Sequence, residues 1–414
     1  MHKQYDRALV KSLDENVRLI KRIFVDDETL ISRSFESQHN RAIKCCIFFI
    51  DGMVNTELIN ENIIQPIIQR SNLDESHELI KVLQNKVIIS NDVTITHEVE
   101  KLIKGIITGD TVLFMEGCTE GLVINTRGWN FRSINEPDSE KLIMGPREGF
   151  IEPILVNLSL IRRRLETPNL KYKFMTLGVQ SQTKICVCYL EGIANKKILD
   201  ELMKRLASIN IDSIGDSGNI SELIKDAPLS PFKTIGNTER PDVIAAKLLE
   251  GRIGVIVDGT PIALTVPFVF IEYFQSNEDY YADFYYGSIG RILRIFGFYV
   301  TVSVPALYVA LMTFHQEMVP TPLLISVTAA RQGVPFPSVV ETVLLLLVFE
   351  VLRETGVRMS SSIGQAFSIV GALVLGQASV EAKIVSAPVI IAVAVSGITG
   401  LMIPKIKNVS ILLR

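Results

Sequence analysis

The chain has 414 residues, enough for two or three domains, and a formal net charge of −3. That balance argues against a nucleic-acid partner. Mean hydropathy is +0.30, high for a soluble protein, and the apolar excess is concentrated from Ile292 onward, whereas residues 1–290 carry most of the charge.

The first stretch, MHKQYDRALVKSLDENV, lacks the apolar core of a signal peptide, so the N-terminal half is expected on the cytoplasmic side. Cys45, Cys46, Cys118, Cys186 and Cys188 form neither a CxxC pair nor a zinc spacing. Cys186 and Cys188 alternate within ICVCYL, so a strand would place both on one face. Buried, reduced thiols are the expectation.

This half contains an internal repeat. CIFFIDGMVN (Cys46–Asn55) matches CVCYLEGIAN (Cys186–Asn195) position for position at an offset of 140. Each copy reads as an apolar strand, an acid-Gly turn and a helix. KLIKGIITGDTVLFMEG (Lys101–Gly117) then resembles KLLEGRIGVIVDG (Lys247–Gly259), with four extra residues in the first copy. Short apolar runs alternating with helical patterns indicate α/β architecture. Two related α/β subdomains are expected, with cores near 35–140 and 170–270. A connecting helix lies within Glu148–Glu166. The expected domains are 1–165, including that helix, and 166–290. Asp51-Gly52, Glu116-Gly117 and Asp258-Gly259 read as tight turns rather than a site.

No phosphate-binding glycine loop and no HExxH motif is present, and the histidines show no ligand spacing. Arg162, Arg163 and Arg164 form the one dense basic cluster; a solvated helix end and contact with anionic headgroups or a neighbouring subunit are the two readings. Thr238 and Pro241 read as the start of a helix. The cluster Tyr280, Tyr281, Phe284, Tyr285 and Tyr286 suits either a headgroup-level belt or a buried core.

Residues 291–414 read as a multi-pass helical membrane domain with spans near 292–314, 338–352, 363–380 and 384–403. Pro320–Ala330 is too short to span and reads as a loop or re-entrant piece. Arg291, Arg294, Arg353, Arg358, Lys405 and Lys407 flank one side, and Arg331 and Lys383 the other. The positive-inside rule places both chain ends in the cytoplasm. Within Ser338–Leu352, Glu341 and Glu350 interrupt an otherwise apolar run, and a carboxylate in hydrocarbon marks a functional position. Arg353 lies three residues beyond Glu350 and can pair with it. Glu341 has no such neighbour in its own helix. The two glutamates are nine positions apart, which puts them on opposite helix faces. Gly364, Ser368, Ala372 and Gly376 form a small-residue stripe suited to close helix packing, repeated by Ala392, Ser396 and Gly400.

Four long stretches carry a resemblance: PREGFIEPILVNLSLIRRRLETPNLK, ERPDVIAAKLLEGRIGVIVDGTPIALTVPFVFIEYFQSNEDYY, PTPLLISVTAARQGVPFPSVVETVLLLLVFEVLRETGVR and SIGQAFSIVGALVLGQASVEAKIVSAPVI. They resemble the A subunit of GerA-family spore germination receptors, from about Cys46 to Pro404. The likeness implies a two-part cytoplasmic domain, a multi-pass part in the spore inner membrane and an oligomeric, nutrient-gated ion channel. It also implies a transporter-like, nutrient-recognising B subunit and a lipoprotein C subunit as partners, with no cofactor. Family members continue past the position of Pro404, so a shortened C-terminus is expected; the family also includes the related SpoVA-operon F protein. On this reading the chain passes monovalent cations, with Glu341 and Glu350 as the functional intramembrane residues, Glu341 serving the ion path and Glu350 mainly structural, and with Arg353 and Glu354 as their neighbours. A secondary transporter and a non-conducting scaffold are the alternatives. An enzyme is not expected.

Overall fold

Strict alternation along Lys44–Ile50 and Thr183–Leu190 gives each strand two apolar faces, and both are covered. Cys45, Ile47 and Phe49 enter one core layer, and Cys46, Phe48 and Ile50 the opposite one. Cys186 and Cys188 share one layer, as ICVCYL predicts, while Ile185, Val187 and Tyr189 share the other. The computed structural model describes residues 8–39, 43–69, 79–128, 140, 144–358, 371 and 376–404. They divide into two units. One comprises the chain up to Phe268 apart from short excursions; the other starts at Val269 and includes Leu229–Phe232.

In the first unit, copy one contains α1 (Leu13–Ile23), β1 (Leu30–Glu36), β2 (Lys44–Ile50), α2 (Thr56–Ile59), α3 (Gln65–Gln69), α4 (Leu79–Val82), β3 (Val93–Thr96), α5 (Val99–Thr108), β4 (Thr111–Met115) and β5 (Gly121–Ile124). Copy two contains α6 (Ile154–Arg164), β6 (Leu170–Leu177), β7 (Thr183–Leu190), α7 (Lys196–Ala207), α8 (Ser217–Ile224), β8 (Gly236–Thr238), α9 (Pro241–Leu249), β9 (Ile253–Val257) and β10 (Ala263–Val266). The sheet orders, β1-β2-β4-β5-β3 and β6-β7-β9-β10-β8, are the same, and every pairing is antiparallel. Each sheet is a filled layer between helices, as two apolar faces demand.

The repeat extends to individual hydrogen bonds. Asn55 and Asn195 cap α2 and α7 through their side chains. Asn16 closes a loop on the N–H and carbonyl of Val10, and Asn157 does the same on Ile151. Two of the acid-Gly turns, one in each copy, have a further task. Glu116 accepts the Leu13 N–H at the start of α1, and Asp258 accepts the Ile154 N–H at the start of α6, at 2.9 and 3.0 Å. A carboxylate there satisfies an otherwise open donor and meets the positive helix end.

These equivalences correct two expectations. The four extra residues of copy one disappear, because the partner of Gly251 is Gly109 rather than Gly105. Both close a helix in the left-handed region, at φ +84° and +92°. A Cβ on either would come within 3.0 Å and 2.9 Å of the Ile193 and Met53 carbonyl oxygens respectively. The helix within Glu148–Glu166 is also more than a connector. As α6 it packs Ile154, Leu158 and Ile161 against β6 and β7, the counterpart of α1 in copy one. Thr238 ends β8, and its hydroxyl accepts the Arg240 N–H just before α9 instead of capping from within the helix.

The second unit contains α10 (Phe284–Thr313), α11 (Thr321–Arg331), α12 (Ser338–Arg358) and α13 (Ala387–Leu401). Among the described residues α10, at 30 residues, is the one helix long and apolar enough to cross a membrane; α13 is apolar but has 15. α12 is longer than the expected span, and Pro320–Ala330 is helical, as α11. Most of the expected span 363–380 lies outside the described residues. The stripe Ala392, Ser396 and Gly400 is buried; Ser396 meets Thr301 of α10, and Gly297 of α10 faces Thr399 and Met402 alongside. Small residues let the two backbones approach, which is where packing attraction between apolar helices comes from. Outward, Val339, Val340, Val343, Leu344, Leu347 and Val351 of α12 are exposed, as are Ile292, Phe296 and Tyr299 of α10. Contiguous apolar faces of this kind mark contact with lipid or another chain.

Candidate functional site

α12 follows Pro335 and Pro337, which hold the preceding backbone extended, so the helix starts at Ser338. Ser338, Glu341, Thr342 and Leu345 then fall on one face and are all buried. Leu345 packs with Val385, Val389 and Val393. That packing delivers the Glu341 carboxylate, with no exposed surface, to the start of α13, where Oε1 accepts the Ser386 N–H. The pairing spans 45 positions. A helix N-terminus favours negative charge, and a hydrogen bond to a charged group contributes about 1.5–3 kcal/mol. Removing a carboxylate from water costs several kcal/mol, so this single bond offsets only part of the penalty.

The remainder of the site is polar and incompletely paired. Glu341 Oε2 and Arg331 Nε are buried without a hydrogen-bond partner among the described residues, and the Tyr308 and Ser386 hydroxyls are buried beside each other. They belong together: Ser386, Arg331 and Glu341 are the groups acting on the Tyr308 phenol. Tyr308 comes from α10, Arg331 from the end of α11 and Ser386 from the start of α13. The Lys383 ammonium lies 3.3 Å from where a Cβ on Gly333 would be, in the turn after Arg331. So Arg331 and Lys383, expected on the same side of the membrane, border the same part of the unit. A carboxylate, a guanidinium and two hydroxyls at the meeting of four helices can hold a charge out of water, or pass it on.

Glu350 has a different setting. Arg353 Nη2 lies 2.9 Å from its Oε2, the i,i+3 pair anticipated from the spacing, and Glu350 is buried. The two glutamates thus have different partners, in keeping with their nine-residue separation. Gly364, Ser368 and Ala372 lie outside the described residues. A Cβ on Gly376 would meet nothing within 4 Å among those described.

Two basic groups expected to be exposed are engaged within the fold. Arg162 is fully buried, with Nη2 2.6 Å from Asp27 and its guanidinium 4.6 Å over the Tyr172 ring, while Arg163 and Arg164 meet Glu148. Neither reading of the arginine cluster therefore holds for Arg162; it joins the two copies of the repeat. Arg291 and Arg294 both bind the buried Asp279, at 3.0 and 2.7 Å. Burial alone would raise that carboxyl, but the two guanidinium groups and the Ser276 N–H outweigh it and hold it below the usual carboxylate range. Arg294 also donates to the Phe274 carbonyl, so the segment entering α10 is tied to its first turns. Tyr280, Tyr281, Phe284, Tyr285 and Tyr286 are exposed, which excludes a buried core within this chain.

Tyr308, Ser386 and Asp279 were not singled out from the sequence. Ser386 carried a usable signal, because Ser-Ala-Pro is a helix start. Nothing in the spacing linked it to Glu341.

Two repeated α/β sheets followed by apolar helices that bury carboxylates define the class: an α/β domain joined to an apolar helical unit. The profile of the Bacillus/Clostridium GerA spore germination proteins matches residues 18–414. The chain belongs to this family. It is 40% identical to spore germination protein KA of Bacillus subtilis (strain 168), over 95% of this chain and 72% of that protein. It is 39% identical to the uncharacterized membrane protein YfkQ of the same organism, over 99% and 79%. The crystal structure of the N-terminal domain of the A subunit of the Bacillus megaterium spore germinant receptor GerK3 superposes with a TM-score of 0.50 at 32% identity. It covers 64% of this chain and 98% of that one. The α/β half is therefore the receptor A-subunit N-terminal fold.

Proposed function

We propose that the chain is the A subunit of a nutrient-responsive spore germination receptor, a multi-pass protein of the spore inner membrane that assembles with itself and with B and C subunits. In this reading the assembled helical units form a cation channel and have no catalytic chemistry of their own. The observation that carries it is Glu341, a fully buried carboxylate bonded to the Ser386 N–H just before α13, in a unit whose outer faces are apolar. Carboxylates in such settings serve ion paths or structural pairs. The exposed tyrosines before and at the start of α10 support a membrane interface at that level. The test is conductance of the purified chain in liposomes, with and without its partner subunits. Cation currents would uphold the channel. Currents absent both from the chain alone and from the complete receptor plus nutrient would overturn it. The second reading, a non-conducting scaffold, is favoured by the tie between Glu341 and the Ser386 backbone. Normal assembly without conductance would select it.

A further inference from the structure

Pro305 lies inside α10, eight residues before the helix ends, and is buried. Proline has no N–H, so the carbonyl four residues earlier, on Thr301, loses its helical partner. In an apolar surrounding an unpaired carbonyl is costly, and such carbonyls are normally taken up by a neighbouring helix. Here the partner is supplied by α13: Ser396 Oγ donates to the Thr301 carbonyl at 2.7 Å, and Ser396 has no exposed surface. The same turn is loosened further by Thr301, whose hydroxyl lies 2.7 Å from the Gly297 carbonyl, a back-bond that bends helices. The Thr301 and Thr399 hydroxyls are 2.8 Å apart. Beside this point Gly297 approaches the Thr399 carbonyl, with 3.4 Å left for a Cβ.

We propose that Pro305 and Ser396 together form a latched hinge. Pro305 makes α10 pliable at Thr301–Pro305, and the Ser396 hydroxyl, by taking the open Thr301 carbonyl, fixes the bend and locks α10 to α13. Movement of the outer third of α10, which carries Tyr308 toward Glu341, then requires release of one side-chain hydrogen bond rather than unwinding of a helix. An uninterrupted helix would hold its own carbonyl and give Ser396 nothing to control. The inference concerns this chain's own mechanics and does not depend on whether the assembled protein conducts ions.

The prediction is a specific coupling between the two residues. Removing the hydroxyl in Ser396→Ala should raise amide hydrogen exchange of α10 peptides around Pro305 roughly two- to tenfold, the factor expected for one net hydrogen bond. In Pro305→Ala the restored N–H bonds Thr301 within the helix, so adding Ser396→Ala there should change exchange little. The measurement is hydrogen–deuterium exchange by mass spectrometry on the full chain in lipid nanodiscs, across the two single variants and the double. An equal effect of Ser396→Ala in both backgrounds would show that Ser396 only packs, and would overturn the latch; so would no effect in either. If Pro305→Ala does not accumulate, Ser396→Thr and Ser396→Val decide the matter. They match in shape and differ in the hydroxyl. Thr should behave as wild type and Val as Ala, and equal behaviour of the two would refute the proposal.

Discussion

Arg162 and Asp27 are 135 positions apart, yet their side chains meet at 2.6 Å with neither exposed. Asp27 uses its other oxygen for the Thr29 N–H and hydroxyl. Glu28 extends the junction: its N–H donates to the Tyr172 carbonyl, and its carboxylate accepts the Phe174 N–H. The loop between α1 and β1 of copy one is thereby attached to β6, the edge strand of copy two. This is a structural ion pair that holds two copies of a repeat in one register.

Breaking that pair should be far worse than replacing it. Arg162→Ala leaves Asp27 buried and uncompensated, at a cost of about 3–5 kcal/mol, whereas an apolar pair of similar volume is often neutral. Arg162→Met with Asp27→Leu is expected to recover most of the loss. Chemical denaturation of the detergent-solubilised chain measures both. A double variant no better than Arg162→Ala would show that the pair specifies the junction in a way apolar packing cannot reproduce.

The thiols provide an independent check on burial and on the side of the membrane. Desolvation, with the neighbouring Cys118 and Cys46 thiols adding to it, pushes Cys45 up to about 12. Near pH 8 only about one Cys45 in ten thousand is then thiolate, the reactive form. Cys45 should resist maleimide until the protein unfolds, and the half-buried Cys118 should be the first to react in the folded state. With residues 1–290 on the proposed cytoplasmic side, an impermeant reagent outside sealed vesicles should label neither. Labelling of Cys118 from outside would reverse the orientation.

Asp279 gives a pH dependence with a definite sign. Its folded pKa is depressed, despite the opposing effect of burial, by the Arg294 and Arg291 bonds. A depressed carboxyl stabilises the folded form above its unfolded value, about 3.9, and the contribution fades as pH falls through the folded value. Asp279→Asn should therefore melt below wild type at pH 7, and the gap should narrow on acidification toward pH 3. A gap that stays constant across that range would mean the residue acts through packing rather than charge.

Local signals carried the central strands and lost the longer-range contacts. The matching apolar runs CIFFI and CVCYL, each ended by an acid-Gly turn, were enough to place Cys46–Asn55 and Cys186–Asn195 as equivalent strand, turn and helix start, because each face of a strand is set by every second residue. The second repeat pair was misjudged by one helical turn. KLIKG and KLLEG look alike, but the helix end is decided by the glycine that adopts positive φ, Gly109 or Gly251. Arg162 read as surface because adjacent arginines spread round a helix; its partner lies in another subdomain. Glu350 and Arg353 were legible as an i,i+3 pair, whereas the link of Glu341 to Ser386 depends on how α12 packs on α13, which spacing does not encode.

The two buried glutamates of α12 should therefore respond differently to neutralisation. In Glu341→Gln the amide oxygen still accepts the Ser386 N–H, so the connection between α12 and α13 survives while the charge is lost. The protein should accumulate normally. On the channel reading, nutrient-triggered cation release should slow, because the displaced ion no longer meets a carboxylate where four helices converge. In Glu350→Gln the Arg353 guanidinium, about four-fifths buried, loses its ionic partner at 2.9 Å. Losing a hydrogen bond to a charged group of this kind costs about 1.5–3 kcal/mol, an upper figure for a pair near a helix end. Glu350→Gln should then lower protein level or assembly, and Arg353→Met combined with it should restore part of the loss. Immunoblots of spore membranes and potassium efflux after nutrient addition separate the two effects. Abundant Glu341→Gln protein with a normal efflux rate would remove Glu341 from the ion path and leave it as a tie between two helices.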